Sequence, residues 1–189
     1  YIAIYGFGQF GSGSAISGDR AIISAPFDNA YESSVHIANS TNGNILYSYG
    51  PFGDNSDTRS VSISDNYAAA GTLDAFPTNE SRVTVYNVNT GAVAYTLTPP
   101  VLATPGSNSF GRFVANTDQY LIASADELTV SGFNYAGAVY VYELATGTLA
   151  RTIPNPTPAA NENFGAGLAI SGNTAVILAP SGSSEAYLV

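Results

Sequence analysis

Cysteine, methionine and lysine are missing from this 189-residue chain, and histidine occurs once. Without cysteine there is no disulfide, no thiolate metal site and no cysteine nucleophile. That absence leaves the compartment open, since a cysteine-free chain suits either side of a membrane. Without methionine, Tyr1 is not a translation start. The chain therefore reads as processed or as a segment of something longer, with any targeting signal outside it. Charge is also scarce, at 10% of residues. Five arginines (Arg20, Arg59, Arg82, Arg112, Arg151) face 14 acids, giving a net charge of −9. Such a chain repels polyphosphate and anionic lipid, which argues against a nucleic-acid partner and against peripheral membrane binding. No apolar run approaches the ~18 residues that a spanning helix needs, so no membrane insertion is expected. Sustained i, i+3, i+4 spacing is missing too, so no amphipathic helix is expected.

What is present is a repeat. Hydrophobic residues make up 45% of the chain, a composition that folds. The stretch Phe10–Pro26 matches Phe164–Pro180 over seventeen positions without a gap. A third copy is Phe110–Ala125, and a weaker fourth is Asp57–Thr72. The anchors Gly18, Asp65, Asp118 and Gly172 are 47, 53 and 54 residues apart. Each copy continues through a polar loop to a third strand-like stretch: Ser34–Ile37, Arg82–Tyr86, Ala138–Tyr142 and Glu185–Val189. A glycine turn follows (Gly43, Gly91, Gly147), then a fourth stretch: Ile45–Tyr49, Val93–Leu97 and Leu149–Ile153. These runs are short, rich in β-branched and aromatic residues, and bounded by Gly, Asn, Asp and Pro.

Four strands, A to D, per unit of about 50 residues is the signature of a β-propeller blade. The expected fold is therefore all-β: a single propeller domain over 1–189, with blades near 6–49, 50–98, 99–153 and 154–189 plus 1–5. The last copy stops after its C strand, and Ile2–Tyr5 sits where a D strand is due. The N-terminal strand is expected to complete that blade and close a four-blade ring, leaving no edge at the seam. The other reading is a part of a larger propeller. Tyr5, Tyr47, Tyr49, Tyr86, Tyr95, Tyr140, Tyr142 and Tyr187 recur at strand positions and are expected to pack between blades.

Phe-Gly, an apolar pair, Ser-Gly-Asp/Asn, an apolar strand ending Ala-Pro, then Val-Tyr-Val-Tyr and Thr-Gly: this pattern resembles the FG-GAP repeat. That family includes the integrin α-subunit propeller and many bacterial and viral surface proteins. Phe10-Gly11, Phe110-Gly111 and Phe164-Gly165 match the first element. Ser24–Pro26 and Leu178–Pro180 match the second with its glycine replaced. The second copy departs, with Asp57-Thr58 at the first position and Gly71-Thr72 near the second. Many members of the family hold calcium in an Asp-rich A–B loop. Here the A–B connections (17–20, 64–67, 117–120, 171–174) offer at most one carboxylate each. Calcium takes 6–8 oxygens, so neither this metal nor any cofactor is expected at these turns.

Successive strands reverse, so the A–B and C–D turns share one face of the ring and the longer B–C and D–A loops share the other. Binding groups favour long loops on a rigid scaffold. The candidate ligand-binding residues on that face are Asp28, Tyr31, Asp74, Phe76, Asn79, Asp126, Phe133 and Tyr135. Aromatic faces beside acids and amides suit sugars and protein surfaces alike. The bland alternative is that the aromatics cover the core while the acids and amides shape turns.

Catalysis is hard to assemble. A Ser-His-Asp triad would need His36, which lies within a C strand and reads as a satisfied strand histidine. Asp126 and Glu127 are adjacent and point apart if extended. No local spacing pairs two acids as a glycan hydrolase would require. The expectation is a non-catalytic, extracellular or virion-surface module of the adhesin or receptor-binding kind, engaging a glycan or protein. A structural or decorating role in a larger assembly is the alternative, and a glycan hydrolase the second. Two sequons, at Asn39 and Asn79, matter only if the source glycosylates. Since the A–B turns lack the oxygens for calcium, a chelator should leave the melting temperature unchanged. A drop of more than a few degrees would place calcium in the long B–C loops instead.

Overall fold

The computed structural model describes residues 10–29, 32–52, 56–74, 81–100, 109–181 and 185–188; at 27–29 and 74 only the backbone is described. The described residues form strands and no helix. The first sheet contains β1 (Gly13–Ser17), β2 (Arg20–Asn29), β3 (Glu32–Asn39) and β4 (Ile45–Tyr49). The second contains β5 (Ser56–Ile63), β6 (Tyr67–Asp74), β7 (Arg82–Asn87) and β8 (Val93–Leu97). The third contains β9 (Val114–Asn116), β10 (Tyr120–Ala125), β11 (Ala138–Glu143) and β12 (Thr148–Pro154). The fourth contains β13 (Gly167–Ser171), β14 (Thr174–Ala179) and β15 (Glu185–Leu188). Each is an antiparallel meander in chain order, so each sequence repeat is one sheet. The segment Tyr1–Tyr5, expected as the outer strand of the last blade, lies outside the described residues.

The sheets stand side by side. Strands β1, β2 and β3 meet β5; β5 and β6 meet β9; β9 and β10 meet β13. The core therefore lies between blades rather than within one. Ile22, Val35 and Ile37 of the first blade pack on Ala68, Ala70, Tyr86 and Val88 of the second. Val83, Val85 and Leu97 continue to Phe110, Leu121, Ala123 and Tyr140 of the third. Ile122, Val139 and Ile153 carry on to Phe164, Ala175 and Ile177 of the fourth. A middle blade thus buries both faces, which is why β7 and β11 read as near-continuous apolar runs.

Two B–C connections are tighter than the sequence suggests. Residues 27–33 read as a loop, yet Asn29 pairs with Glu32 after a register shift beyond Ala25. The shift accommodates Pro26, which has no N–H to give to the ladder. In the second blade, β6 likewise runs on to Asp74.

The Phe-Gly element is a plug. Phe110 and Phe164 are buried. The Gly11, Gly111 and Gly165 amides donate to the carbonyls of Ser24, Ser124 and Leu178 on strand B. In the second blade, which lacks the motif, a chain of buried hydroxyls takes that place. Ser33 Oγ lies 2.7 Å from Ser56 Oγ and 3.0 Å from Thr58 Oγ1, and Thr58 Oγ1 lies 2.8 Å from Thr72 Oγ1. A hydroxyl can both donate and accept, and the Ser33 amide also donates to Ser56 Oγ, so these buried groups bond to one another.

The blades are joined on the short-turn face by a recurring contact. Gly91 (φ +72°) and Gly147 (φ +68°) sit in the C–D turns of the second and third blades. A Cβ on Gly91 would stand 2.3 Å from the ring of Tyr47, and one on Gly147 would stand 2.3 Å from Tyr95. Each tyrosine reaches over the next blade's turn and donates its hydroxyl to a carbonyl there, Tyr47 to Asn89 at 3.0 Å and Tyr95 to Ala145 at 3.2 Å. The lone carboxylates of the A–B turns act on the same face. Asp65 accepts from the Ser17 hydroxyl of the preceding blade, and Asp118 from the Asn66 amide, each at 2.8 Å. Inner strands approach closely enough to exclude a methyl group. A Cβ on Gly13 would fall 1.9 Å from the Arg59 carbonyl oxygen, and one on Gly71 would fall 1.8 Å from that of Gly111. The third junction differs. Arg151 occupies the tyrosine position, and a cavity of about 310 Å3 opens among Ile122, Val141, Arg151, Ile153, Ile170 and Ala175.

Candidate functional site

Of the long B–C loops, the third blade's, Asp126 to Gly137, is described throughout. It projects a short bridge between Val130 and Phe133, whose amides and carbonyls exchange two hydrogen bonds. Ser131 (φ 54°) and Gly132 (φ 85°) turn the tip. Phe133 is 44% exposed and Tyr135 46% exposed. Tyr135 also holds a left-handed backbone (φ 57°), unusual for a bulky residue. That conformation costs about 1–3 kcal/mol and persists only where the surroundings fix it.

The surroundings do fix it. The D–A loop of the same blade runs alongside and clamps the B–C loop by its backbone. The Asn161 amide donates to the Asn134 carbonyl, Asn163 to Tyr135, and Phe164 to Ala136. Asn155 is buried beneath. Its side-chain amide donates to the Ala136 carbonyl at 3.1 Å and to Glu162 Oε2 at 2.6 Å, and Glu162 Oε2 also accepts from the Ala159 amide. With each such bond worth about 0.5–1.5 kcal/mol net, the clamp outweighs the strain at Tyr135. The two loop sets meet on one face, as the alternation of strand directions requires.

At the base lies a charged cluster. Arg112 Nη2 is 2.6 Å from Glu127 Oε1, and its Nη1 is 3.5 Å from Asp126 Oδ2. The Glu127 amide donates to Ser109 Oγ at 2.9 Å. Asp126 is 2% exposed, and its Oδ1 is buried with no hydrogen-bond partner among the described residues. Burial pushes its carboxyl above the usual range, and the Arg112 guanidinium beside it works the other way. Arg112 also borders a cavity of about 230 Å3 shared with Asp57, Arg59, Ser60, Gly71 and Leu73, between the second and third blades.

The sequence-predicted residues fall into three groups. Phe133 and Tyr135 stand together and exposed on the clamped loop; Asp126 lies beneath them, buried. Asp28 and Asp74 sit at strand ends, with only their backbone described. Tyr31, Phe76 and Asn79 lie outside the described residues. The supporting residues Asn155, Glu162 and Arg112 were not singled out from sequence. Their partners stand at spacings that no motif signals. His36 is 7% exposed, with Nδ1 2.9 Å from Ser48 Oγ and Nε2 3.1 Å from Ser34 Oγ, a strand histidine with both nitrogens engaged.

No family model and no curated protein matches this sequence. Solved structures do resemble it. The β-propeller domain of the Trilobed protease from Pyrococcus furiosus matches with a TM-score of 0.59 at 12% identity, over 92% of this chain and 49% of that one. Hydrazine synthase from Kuenenia stuttgartiensis matches with a TM-score of 0.58 at 18% identity, over 88% and 49%. The Pan2 WD40 domain of Neurospora crassa gives 0.52 at 16%, over 96% and 45%. The chain spans about half the length of these structures. At such identities the likeness shows the fold alone: four antiparallel sheets arranged as blades of a β-propeller.

Proposed function

We propose that this chain is a non-catalytic binding propeller that engages a glycan or a protein through its long-loop face, as a surface-exposed adhesin or receptor-binding module. The observation that carries the reading is the pair Phe133 and Tyr135, two exposed aromatic rings on a loop clamped by hydrogen bonds. An exposed aromatic on a rigid loop loses little entropy on binding, which is how aromatic anchors come to dominate interfaces. On this reading the repeat phase assigns Asp28, Tyr31, Asp74, Phe76 and Asn79 to the same set of binding residues, with Asp126 at the base of the third blade's loop. The repeat is of the FG-GAP type, supported by the Phe-Gly plugs.

The test is a glycan array and a protein-capture screen with the wild-type chain, repeated with Phe133→Ala/Tyr135→Ala. The reading expects a roughly ten-fold or greater loss of binding with the melting temperature held within about 2 °C. Unchanged binding would remove the site. A large loss of stability would return both rings to a packing role.

The same reading gives Tyr1–Tyr5 the place beside β15 as the outer strand of the last blade. Deleting residues 1–5 should then lower the melting temperature and promote aggregation, because β15 becomes an open edge. A silent deletion, as for a frayed terminus, would refute that assignment.

A further inference from the structure

Two of the five arginines share one repeat position. Arg59 and Arg112 each stand third in the motif that opens strand A, where the first and fourth blades carry Ser12 and Ala166. The position lies at the long-loop end of the inner strands. Two local devices bring both residues to the wall of one cavity of about 230 Å3 at the second junction. Thr58 and Arg59 together oppose Thr72, a bulge between the pairs Asp57–Leu73 and Ser60–Gly71, and a bulge re-aims a side chain. Arg112 closes a tight turn, its amide donating to the Ser109 carbonyl at 2.9 Å, with Gly111 (φ 80°) inside the turn. Gly71 admits that turn because it has no Cβ to meet the Gly111 carbonyl.

The hydrogen-bonding groups left over on this wall define what it can take. Arg59 Nε lies 2.9 Å from Asp57 Oδ1, and its two Nη groups make no hydrogen bond or ion pair with the described residues. Arg112 turns Nη1 and Nη2 to Asp126 and Glu127 and keeps Nε. Ser60 Oγ accepts from the Val114 amide at 2.9 Å and keeps its hydroxyl hydrogen to donate. Asp57, on the same wall, keeps Oδ2 to accept. Charge is balanced, since Asp57 answers Arg59 and Glu127 answers Arg112, while the buried Asp126 does not line the cavity. An anion would meet Asp57 and a chain of net charge −9, and a cation would meet two guanidinium groups. An apolar ligand would strand the donors. A hydroxyl donates and accepts at once and suits them all. Leu73 adds an apolar wall for the C–H face of a ring. Pockets for drug-sized ligands run upward from about 300 Å3, so this smaller one admits a single sugar ring.

We infer that this cavity is a subsite for one neutral sugar residue, the rest of the glycan running out along the loop that carries Phe133 and Tyr135. That loop springs from Asp126 and Glu127, the two acids beside Arg112. The inference rests on the binding reading above and narrows its ligand to a neutral glycan.

The experiment is titration calorimetry with maltotriose, cellotriose, mannotriose and N-acetylchitotriose as neutral probes and sialyllactose and a heparin tetrasaccharide as acidic ones. The wild type, Arg59→Gln and Phe133→Ala/Tyr135→Ala are compared. At least one neutral probe should bind the wild type, its affinity changing by less than about two-fold between low and high salt, because no charge is neutralised. The Arg59 side chain is 57% exposed, so Arg59→Gln should fold and melt within about 2 °C of the wild type. It should bind that probe about ten-fold more weakly or worse. Adding the probe to the wild type should shift the side-chain Nε–H resonances of Arg59 and Arg112 in the NMR spectrum and leave that of Arg20 in place, a readout that needs no variant. Neutral binding that survives Arg59→Gln and leaves those resonances unmoved would overturn the subsite; if it falls in the aromatic variant, the wider binding reading stands without it. Neutral binding lost in Arg59→Gln but unchanged in the aromatic variant would keep the subsite and remove the aromatic site. Binding of the acidic probes alone, or of no probe, would overturn the inference, and a protein captured in the screen above would then leave the wider reading in place.

Discussion

The constraint on which this molecule depends is that no blade can bury its own faces. A four-stranded meander has two sides, and its apolar residues are satisfied only by a neighbouring sheet. At the first two junctions the contact that fixes the neighbour is an aromatic ring laid on a glycine turn. Tyr47 on Gly91 and Tyr95 on Gly147 set the spacing of successive blades, and the tyrosine hydroxyls lock the angle by bonding to turn carbonyls. The turn needs glycine twice over, for its left-handed backbone and for the ring above it. Behind that contact, Tyr49 stacks on Tyr86 with centroids 4.0 Å apart, and its phenol is pushed up to about 12 by burial and by Tyr47 beside it. Stability is then a sum over nearest-neighbour junctions, as in any quasi-one-dimensional array.

This explains where the site stands and why it can be rigid. The short-turn face is used up by junctions: tyrosines, glycines and the carboxylates of Asp65 and Asp118 all serve the blade next door. The opposite face also joins blades, as Ser33 does to Ser56, but at the loop bases. Its loops are free to differ, and in the third blade two of them spend their backbone groups on each other. The outcome is a platform that displays Phe133 and Tyr135 while holding Tyr135 in a backbone it would not choose alone.

Much of this was legible in the sequence, for a physical reason. A blade is one repeat, so four copies of one pattern report the strands four times, and Ile45–Tyr49 and Val93–Leu97 fall on the residues read as D strands. The buried tyrosines at 86, 140 and 142 follow from the same recurrence. What could not be read is what the repeat does not repeat. The hydroxyl chain of Ser33, Ser56, Thr58 and Thr72 replaces a Phe-Gly plug and leaves only an apparent gap in the motif. The Asn155–Glu162 clamp joins residues of no recognisable spacing. In the sequence Asp65 is only a lone carboxylate in an A–B turn, too few oxygens for calcium, whereas in the structure it is a hydrogen-bond staple between blades.

A double-mutant cycle on Tyr47 and Gly91 tests the junction most directly. Gly91→Ala in the wild-type chain meets both the tyrosine ring and the left-handed backbone, whereas in a Tyr47→Ala background only the backbone cost remains, about 1–2 kcal/mol. The account predicts a coupling of about 1–3 kcal/mol from denaturant unfolding, with Gly91→Ala markedly less harmful once the ring is gone. Additivity within about 0.5 kcal/mol would contradict it and would mean that the blades are spaced by something other than this contact.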